Sequence, residues 1–325
     1  GHESRDQSLF IDDDNTAYLL SATNMNSDIN IYKLDNSWTK PVSLVNTICK
    51  GLQRETPAII KKDGEYYFFS SKASGWYPSQ TVYTATTDLG GEWTPMREIG
   101  NNSTFDAQFN RISMVGTSCG VWSYHWGAQR EHKTPDGNFP RISIAAFNQG
   151  YASMDYYRYL EFNDKYGIIP VQNGKNLTLN SPATSTVSGA KGVKADCITD
   201  GASLESSAFF QKSSNAATTG TPYILAVDMQ KNARISEINL STRLVNGSEA
   251  AYKYTIEGST DGKSYKMLVD GRQNWQIGFL ILNIEDPASY RYLRLRVYGV
   301  VNVHKGNSAM WADGIYEFAA FGTPQ

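Results

Sequence analysis

Stretches rich in alanine, leucine, glutamate and lysine, the staple of helical proteins, are nearly absent from this sequence of 325 residues, which argues against a helical fold. Cysteine is scarce as well. Cys49, Cys119 and Cys197 are too few and too scattered for a disulfide framework, and none belongs to a CxxC or Cys/His metal pattern, so all three read as buried thiols. No apolar run approaches the roughly 18 residues of a membrane helix, and the first ten residues lack the apolar core of a signal peptide, so the chain reads as soluble and as already mature or truncated. Nor is there a cluster of lysine and arginine. A formal net charge of -2 and a pI near 6.1 supply no basic field for a polyphosphate backbone, which argues against a nucleic-acid partner. His125 and His132 flank Trp126 and Arg130 without a third donor, so no transition-metal site follows and each reads as hydrogen-bonded structure.

What the chain has in quantity is aromatic residues, 12% of the total with 20 Tyr and 7 Trp. They suit strands, and the surplus suits flat, hydroxyl-rich ligands such as sugars. The length points to two domains, each large enough to fold without staples. Residues 9–169 read as successive hairpins. Leu9 to Ile11, an acidic turn at Asp12 to Asn15, Ala17 to Leu20 and Ile29 to Tyr32 are followed by the same grammar in Ala58 to Lys62, the turn Asp63-Gly64, Tyr66 to Ser70 and Thr81 to Ala85. A third, weaker copy runs through Arg111 to Val115, Val121 to Trp126 and Ile142 to Phe147. A repeat near fifty residues is the sequence form of a β-propeller blade. Strand signals lapse at Val171 to Lys175, before the polar stretch 176–192. Beyond it, Ile224 to Asp228, Arg234 to Ile238, Tyr252 to Glu257 and Tyr292 to Val297 are short strands at the spacing of a β-sandwich or jelly roll. The fold class is therefore all-β, with a propeller-like part at 1–172 and a sandwich at 176–325.

Two carboxylates stand at the mouths of these strands, one in Ser4-Arg5-Asp6 and one in Arg54-Glu55-Thr56-Pro57. Glycoside hydrolysis needs such acids: one protonates the leaving oxygen, and others activate water or tune the donor. A surface carboxylate at a hairpin entry is the ordinary alternative for Glu55, and a turn or capping acid for Asp6. Trp76, in Gly75-Trp76-Tyr77-Pro78, lies in a shaped loop where it could serve as a core aromatic or stack on a sugar.

With these motifs the first half resembles the catalytic domain of family 43 glycoside hydrolases, in particular the galactan and arabinan side-chain exo-enzymes. The likeness is carried by Ser4-Arg5-Asp6, by Arg54 to Ala58 with Lys61 to Tyr67, and by Ser74 to Pro78. In that family a five-bladed propeller surrounds its pocket with a general base, an orienting and pKa-tuning Asp and a general-acid Glu. The resemblance implies the second role for Asp6, the third for Glu55, and substrate contacts for Trp76, Gln108 and Arg141. The family's base lies upstream of the Asp that matches Asp6. The expectation is that this chain carries roughly three to four blades and is the C-terminal portion of a longer enzyme, the base and the N-terminal propeller segment being cut away, disordered or supplied separately as a partner; an unusual remnant fold is the alternative.

The second half resembles the discoidin, or coagulation-factor-5/8 C-type, sandwich, also used as a family 32 carbohydrate-binding module. Its markers are Asn176 to Thr184, Ala195 to Gly201, Tyr254 to Gly262 with Tyr265, and Ile315 to Phe318. The resemblance implies one structural calcium held by Asp200 and Glu317, hard oxygen donors of the kind that suit this ion. Trp275, His304 and Trp311 are its candidates for sugar contact, Trp311 being equally placed for the core.

Together these readings describe an exo-acting, inverting glycosidase that removes β-galactosyl or α-L-arabinofuranosyl units from plant arabinogalactan or arabinan. Its partner is a poly- or oligosaccharide, it needs no organic cofactor, and it is secreted or periplasmic. The rival is a non-catalytic carbohydrate-binding protein in which the incomplete propeller is a scaffold.

Overall fold

A computed structural model describes residues 3–127, 138–171, 174–213, 222–285 and 287–325. Arg130 and His132 lie outside the described residues, as do Gln172 and Asn173 of the expected boundary. The chain divides into two compact units, with the strands up to Val171 in the first and residues from Gly174 onward in the second.

The first unit is built from three four-stranded antiparallel sheets that follow one another along the chain. The first holds β1 (Gln7–Ile11), β2 (Ala17–Thr23), β3 (Asp28–Leu34) and β4 (Pro41–Ile48) in sequential order. The second repeats this with β5 (Arg54–Lys62), β6 (Glu65–Lys72), β7 (Thr81–Thr86) and β8 (Arg97–Ile99). The third holds β9 (Gln108–Val115), β10 (Ser118–Trp126), β11 (Asn138–Asn148) and β12 (Tyr151–Tyr156), and a ribbon of β13 (Tyr159–Asn163) and β14 (Gly167–Val171) follows. Each expected strand is present. The outer strands β4 and β8 had no sequence signal, because β4 has an exposed first half and β8 is only three residues long.

Side-chain alternation packs these blades together. On β6, Tyr66 and Phe68 point into a core shared with the first sheet, alongside Leu20, Ile29 and Ile31. Tyr67 and Phe69 point the other way, into a core with Phe109, Val121 and Ala145 of the third sheet. All four aromatics are at most 9% exposed, so the strand reads as an unbroken apolar run where a one-faced strand would alternate. The first strand of each blade lies innermost, and β5 packs against β1 on one side and β9 on the other.

The second unit adds β15 (Lys175–Asn176), β16 (Ala183–Ser185), β17 (Tyr223–Thr242), β18 (Ala250–Ser259), β19 (Lys266–Gly271), β20 (Phe279–Asn283), β21 (Ser289–Asn302) and β22 (Ile315–Pro324). The two segments expected as separate strands, Ile224 to Asp228 and Arg234 to Ile238, are one 20-residue strand. A register shift between Asp228 and Ala233, with Gln230 at φ 62, bends it without ending it. The part before the bend pairs with β16 and β21; after it Ala233 and Arg234 still reach β21, and the rest pairs with β20 and β22, so β17 joins the strands of both faces. Between the faces lie Leu225, Val227, Ile238, Leu240, Ile256, Leu293, Leu295 and Phe318, each at most 1% exposed. Among the described residues no helix is long and apolar enough to cross a membrane.

Cys49 and Cys119 are buried as expected, and burial pushes both thiols up to about 12. Cys197 is half-buried, which corrects the expectation for it, since the short 3-10 segment Ala195–Thr199 leaves it at the margin of the core.

Gly167 marks the closest backbone approach in the first unit. It has φ +83, and a Cβ there would lie 1.7 Å from the carbonyl oxygen of Val115. Gly64 has a similar φ of +84 but open space around it. Gly167→Ala should therefore destabilise the chain by on the order of 3 kcal/mol, against about 1 kcal/mol for Gly64→Ala. Urea unfolding monitored by circular dichroism checks the difference, and equal losses would show that the contact at Gly167 relaxes freely.

Candidate active site

Local chemistry in β5 sets the geometry. Pro57 has no N–H to give to the ladder, so pairing with β6 breaks after Glu55 opposite Ser71 and resumes at Ala58 opposite Phe69. In the bulge Thr56 takes the left-handed φ of 49, rare for a β-branched residue. Three contacts hold it. Its N–H donates to Asp6 Oδ2 at 3.1 Å, its hydroxyl donates to the Phe109 carbonyl at 2.8 Å, and the same hydroxyl shares a 2.9 Å bond with Ser71. Arg54, 6% exposed, anchors the strand from the other side through Nη2 to the Ser70 and Gln80 carbonyls at 2.7 and 3.2 Å.

This break brings Asp6 and Glu55 to one mouth. Asp6 is exposed and Glu55 half-buried, with Oε1 accepting from Asn26 Nδ2 at 2.7 Å. Burial and then the neighbouring Asp6 charge lift the Glu55 carboxyl above the ordinary carboxylate range, while Arg5, Arg54 and the Asn26 bond pull it down. A half-buried carboxyl whose proton affinity is raised beside a second carboxyl is the arrangement that acid catalysis needs.

The loop after β6 opens at the same mouth. Gln108 donates through Nε2 to Ser74 Oγ at 2.8 Å and to the Gly75 carbonyl at 2.9 Å, and Ser74 donates on to the Tyr77 carbonyl at 2.7 Å. Gln108 is thus 8% exposed, with its amide engaged in holding the loop. Trp76, carried by that loop, is 52% exposed, so it is no core aromatic, and it meets Trp126 edge-on with centroids 5.1 Å apart. Arg141 is half-buried and stacks on Phe139 and Tyr156, bonding the Tyr156 hydroxyl at 3.1 Å. Its Nη2 lies 3.7 Å from Asp106 Oδ2. Asp106 ends a run of three left-handed residues, Thr104, Phe105 and Asp106, at φ 47, 56 and 65. The turn is held by Asn101 Oδ1, which accepts from the Ser103 and Phe105 N–H groups, and by Thr104 Oγ1, which accepts from Thr81 N–H. His125 Nδ1 sits 2.9 Å from Asp106 Oδ2 and 2.8 Å from its carbonyl, in line with its reading as bonded structure. Sequence reasoning missed Asn26, Thr56 and Trp126. Left-handed backbone leaves no mark in composition, and Asn26 lies in the turn between β2 and β3, where no strand pattern marks it.

In the second unit Glu317, on β22, is 7% exposed, and Oε2 accepts from Gly201 N–H at 3.0 Å. Its Oε1 is buried without a partner. Burial, with the Asp200 charge adding to it, pushes this carboxyl up to about 8. Asp200 is exposed and accepts from the Ala202 N–H at 2.8 Å. The Asp200 charge acts on Glu317, the Asn176 side chain opposes it, and Oε1, without a partner within hydrogen-bond distance, is what an oxygen-coordinated cation would satisfy. Among the described residues no cluster of three His, Cys, Asp or Glu side chains could hold a metal. Calcium fits this donor set only with backbone or water oxygens completing it. Trp275 stacks on the Lys253 ammonium at 3.7 Å, His304 pairs with the buried Glu249 at 2.7 Å, and Trp311 is 56% exposed, which rules out its core reading.

Residues 1–123 match the family described as glycosyl hydrolases family 43, and residues 181–312 match the F5/8 type C domain. Among solved structures the chain is similar to an exo-β-1,3-galactanase from Phanerochaete chrysosporium, with 18% identity and a TM-score of 0.57 over 99% of this chain and 69% of that one. An exo-β-1,3-galactanase from Clostridium thermocellum has 21% identity and a TM-score of 0.50 over 99% and 66%. These likenesses concern the fold. No curated protein matches the sequence. The propeller-like sheets and the sandwich thus agree with the two family matches, residues 1–123 with glycosyl hydrolases family 43 and residues 181–312 with the F5/8 type C domain.

Proposed function

We propose that the chain belongs to an exo-acting, inverting β-galactosidase that works on galactan side chains, with Glu55 as general acid and Asp6 as the residue that orients and tunes it. The pairing of the two carboxyls at one mouth carries this reading, the more buried one raised in proton affinity by burial and by its neighbour's charge, and the exposed one accepting from the N–H of Thr56. The galactosyl choice follows the solved relatives, which are exo-β-1,3-galactanases. Arabinofuranosyl units are the alternative. Glu55 gives its proton to the glycosidic oxygen as that bond breaks, and water attacks the anomeric carbon from the opposite face. That attack needs a third group, a base, for which the family uses an acid on an earlier blade. Trp76 offers an exposed ring face to the leaving sugar. Such a substrate places the enzyme outside the cytoplasm, secreted or periplasmic. Asp200 and Glu317 would hold a structural calcium, whose charge would compensate two adjacent carboxylates and satisfy Glu317 Oε1.

This chain alone should turn over little, for want of the base; with the N-terminal segment that carries the base supplied, Glu55→Gln should lower kcat/KM on β-1,3-galacto-oligosaccharides by about 10² to 10⁴, and NMR of the first product should show the inverted anomer. Oligosaccharide binding with no turnover even when the base-bearing N-terminal segment is supplied would instead mark a carbohydrate-binding protein, and release of arabinose alone would move the assignment to the other sugar.

Catalysis requires protonated Glu55, so the rate should fall as pH rises through its pKa. Asp6→Asn removes a charge that raises this pKa, so the alkaline limb should move to lower pH. A limb that stays in place would show that Asp6 does not act on Glu55.

For the second unit, EDTA should lower Tm of the full chain and calcium should restore it, since an ion bound only by the folded state stabilises by mass action. Glu317→Gln should abolish that dependence. An unchanged Tm would mean that Asp200 and Glu317 are ordinary loop acids.

A further inference from the structure

A general acid delivers its proton from one particular oxygen, and Asn26 is placed to choose which oxygen of Glu55 that is. It lies in the turn between β2 and β3, 6% exposed, and is the last of three successive left-handed residues, Asn24, Met25 and Asn26, at φ 50, 56 and 65. Such a run disfavours every residue but glycine and persists only where surrounding contacts enforce it. Two contacts reach successive residues of β5. The Asn26 carbonyl accepts from Arg54 N–H at 2.8 Å, and Asn26 Nδ2 donates to Glu55 Oε1 at 2.7 Å. The amide oxygen of Asn26 is buried without a partner, so no competing bond explains the orientation of the amide.

We propose that Asn26 is a positioning residue for the general acid, its amide capping Oε1 of Glu55 so that Oε2 carries the transferable proton. The inference rests on the reading of Glu55 as the acid. As the proton leaves Oε2, the electron pair of the breaking bond between the anomeric carbon and the glycosidic oxygen stays on that oxygen, which takes the proton. Glu55 is left as a carboxylate, to which the Asn26 N–H donates more strongly than to the neutral acid. The amide therefore fixes the carboxyl before transfer and stabilises its charge afterwards. The other groups that act on Glu55 are Asp6, whose charge favours the protonated form, and Arg5 and Arg54, which favour the ionised one.

Two variants of the full chain test this. Asn26→Gly tolerates the left-handed backbone and removes the amide; Asn26→Asp keeps the shape but replaces the donor with a second acceptor. Carbodiimide coupling to glycine ethyl ester proceeds through the protonated carboxyl. Labelling across a pH series, with the Glu55 peptide quantified by mass spectrometry, therefore reads its protonation without requiring turnover. The midpoint should rise by roughly half a unit to one unit in Asn26→Gly, and further in Asn26→Asp. On oligosaccharides, with the N-terminal segment that carries the base supplied, kcat should fall by about tenfold or more with KM little changed, and the alkaline limb should move up with the labelling midpoint. A merely structural role would lower Tm and leave the midpoint in place. An unmoved midpoint in both folded variants overturns the proposal, as does a downward shift, which would mean that the amide oxygen faces the carboxyl. Full turnover by Glu55→Gln would overturn the acid reading and this proposal with it.

Discussion

The mouth of the first unit depends on Thr56. Through one N–H and one hydroxyl this side chain and its backbone reach Asp6 ahead of β1, Ser71 on β6 and Phe109 on β9, so a single residue ties the innermost strands of three blades. It can do so only because Pro57 interrupts the ladder and lets the backbone turn to a positive φ. The same turn leaves Glu55 at the last paired position before the gap, facing Asn26 on one side and the Asp6 charge on another. Strain at Thr56 and the placement of the acid are two aspects of one local distortion, held in place by contacts from every neighbouring blade.

Around that point the balance of effects on Glu55 is close. Burial and one neighbouring carboxylate raise its affinity for a proton; two arginines and an amide lower it. Deeper burial would leave the carboxyl unable to regain its charge, and full exposure would leave it ionised at neutral pH, with nothing to donate. Half-burial at the break in β5 lies between these limits. The buried turn that presents Asp106 to His125 and Arg141 shows the same economy: left-handed residues fixed by side-chain amides and hydroxyls of their own loop.

Much of the first unit was legible because its central strands are buried on both faces. Tyr66 to Phe69 and Thr81 to Ala85 had to be strands, and their repetition had to be blades. Asp6 and Glu55 were legible from their place at strand mouths and from the motifs around them. Asn26 and the bulge at Thr56 were not, since a positive φ in a non-glycine residue is imposed by tertiary contacts and has no composition of its own. Strands β4 and β8 were hidden for the opposite reason: at the outer edge of a blade little apolar surface is buried, so no pattern is required of the sequence. In the second unit the strands were visible but not their unity, because the polar residues at the bend of β17 read as a loop.

That bend has a consequence for how the sandwich comes apart. A strand that belongs to both faces cannot leave one without disturbing the other, and the side chains before and after the bend, Leu225 and Leu240 among them, enter the same core. Peeling one sheet away would strip the second of its central strand, so the half-open intermediates available to two independently hydrogen-bonded layers are high in energy here. A single unfolding step is therefore the expected behaviour of the module, with local opening at its loops and short edge strands.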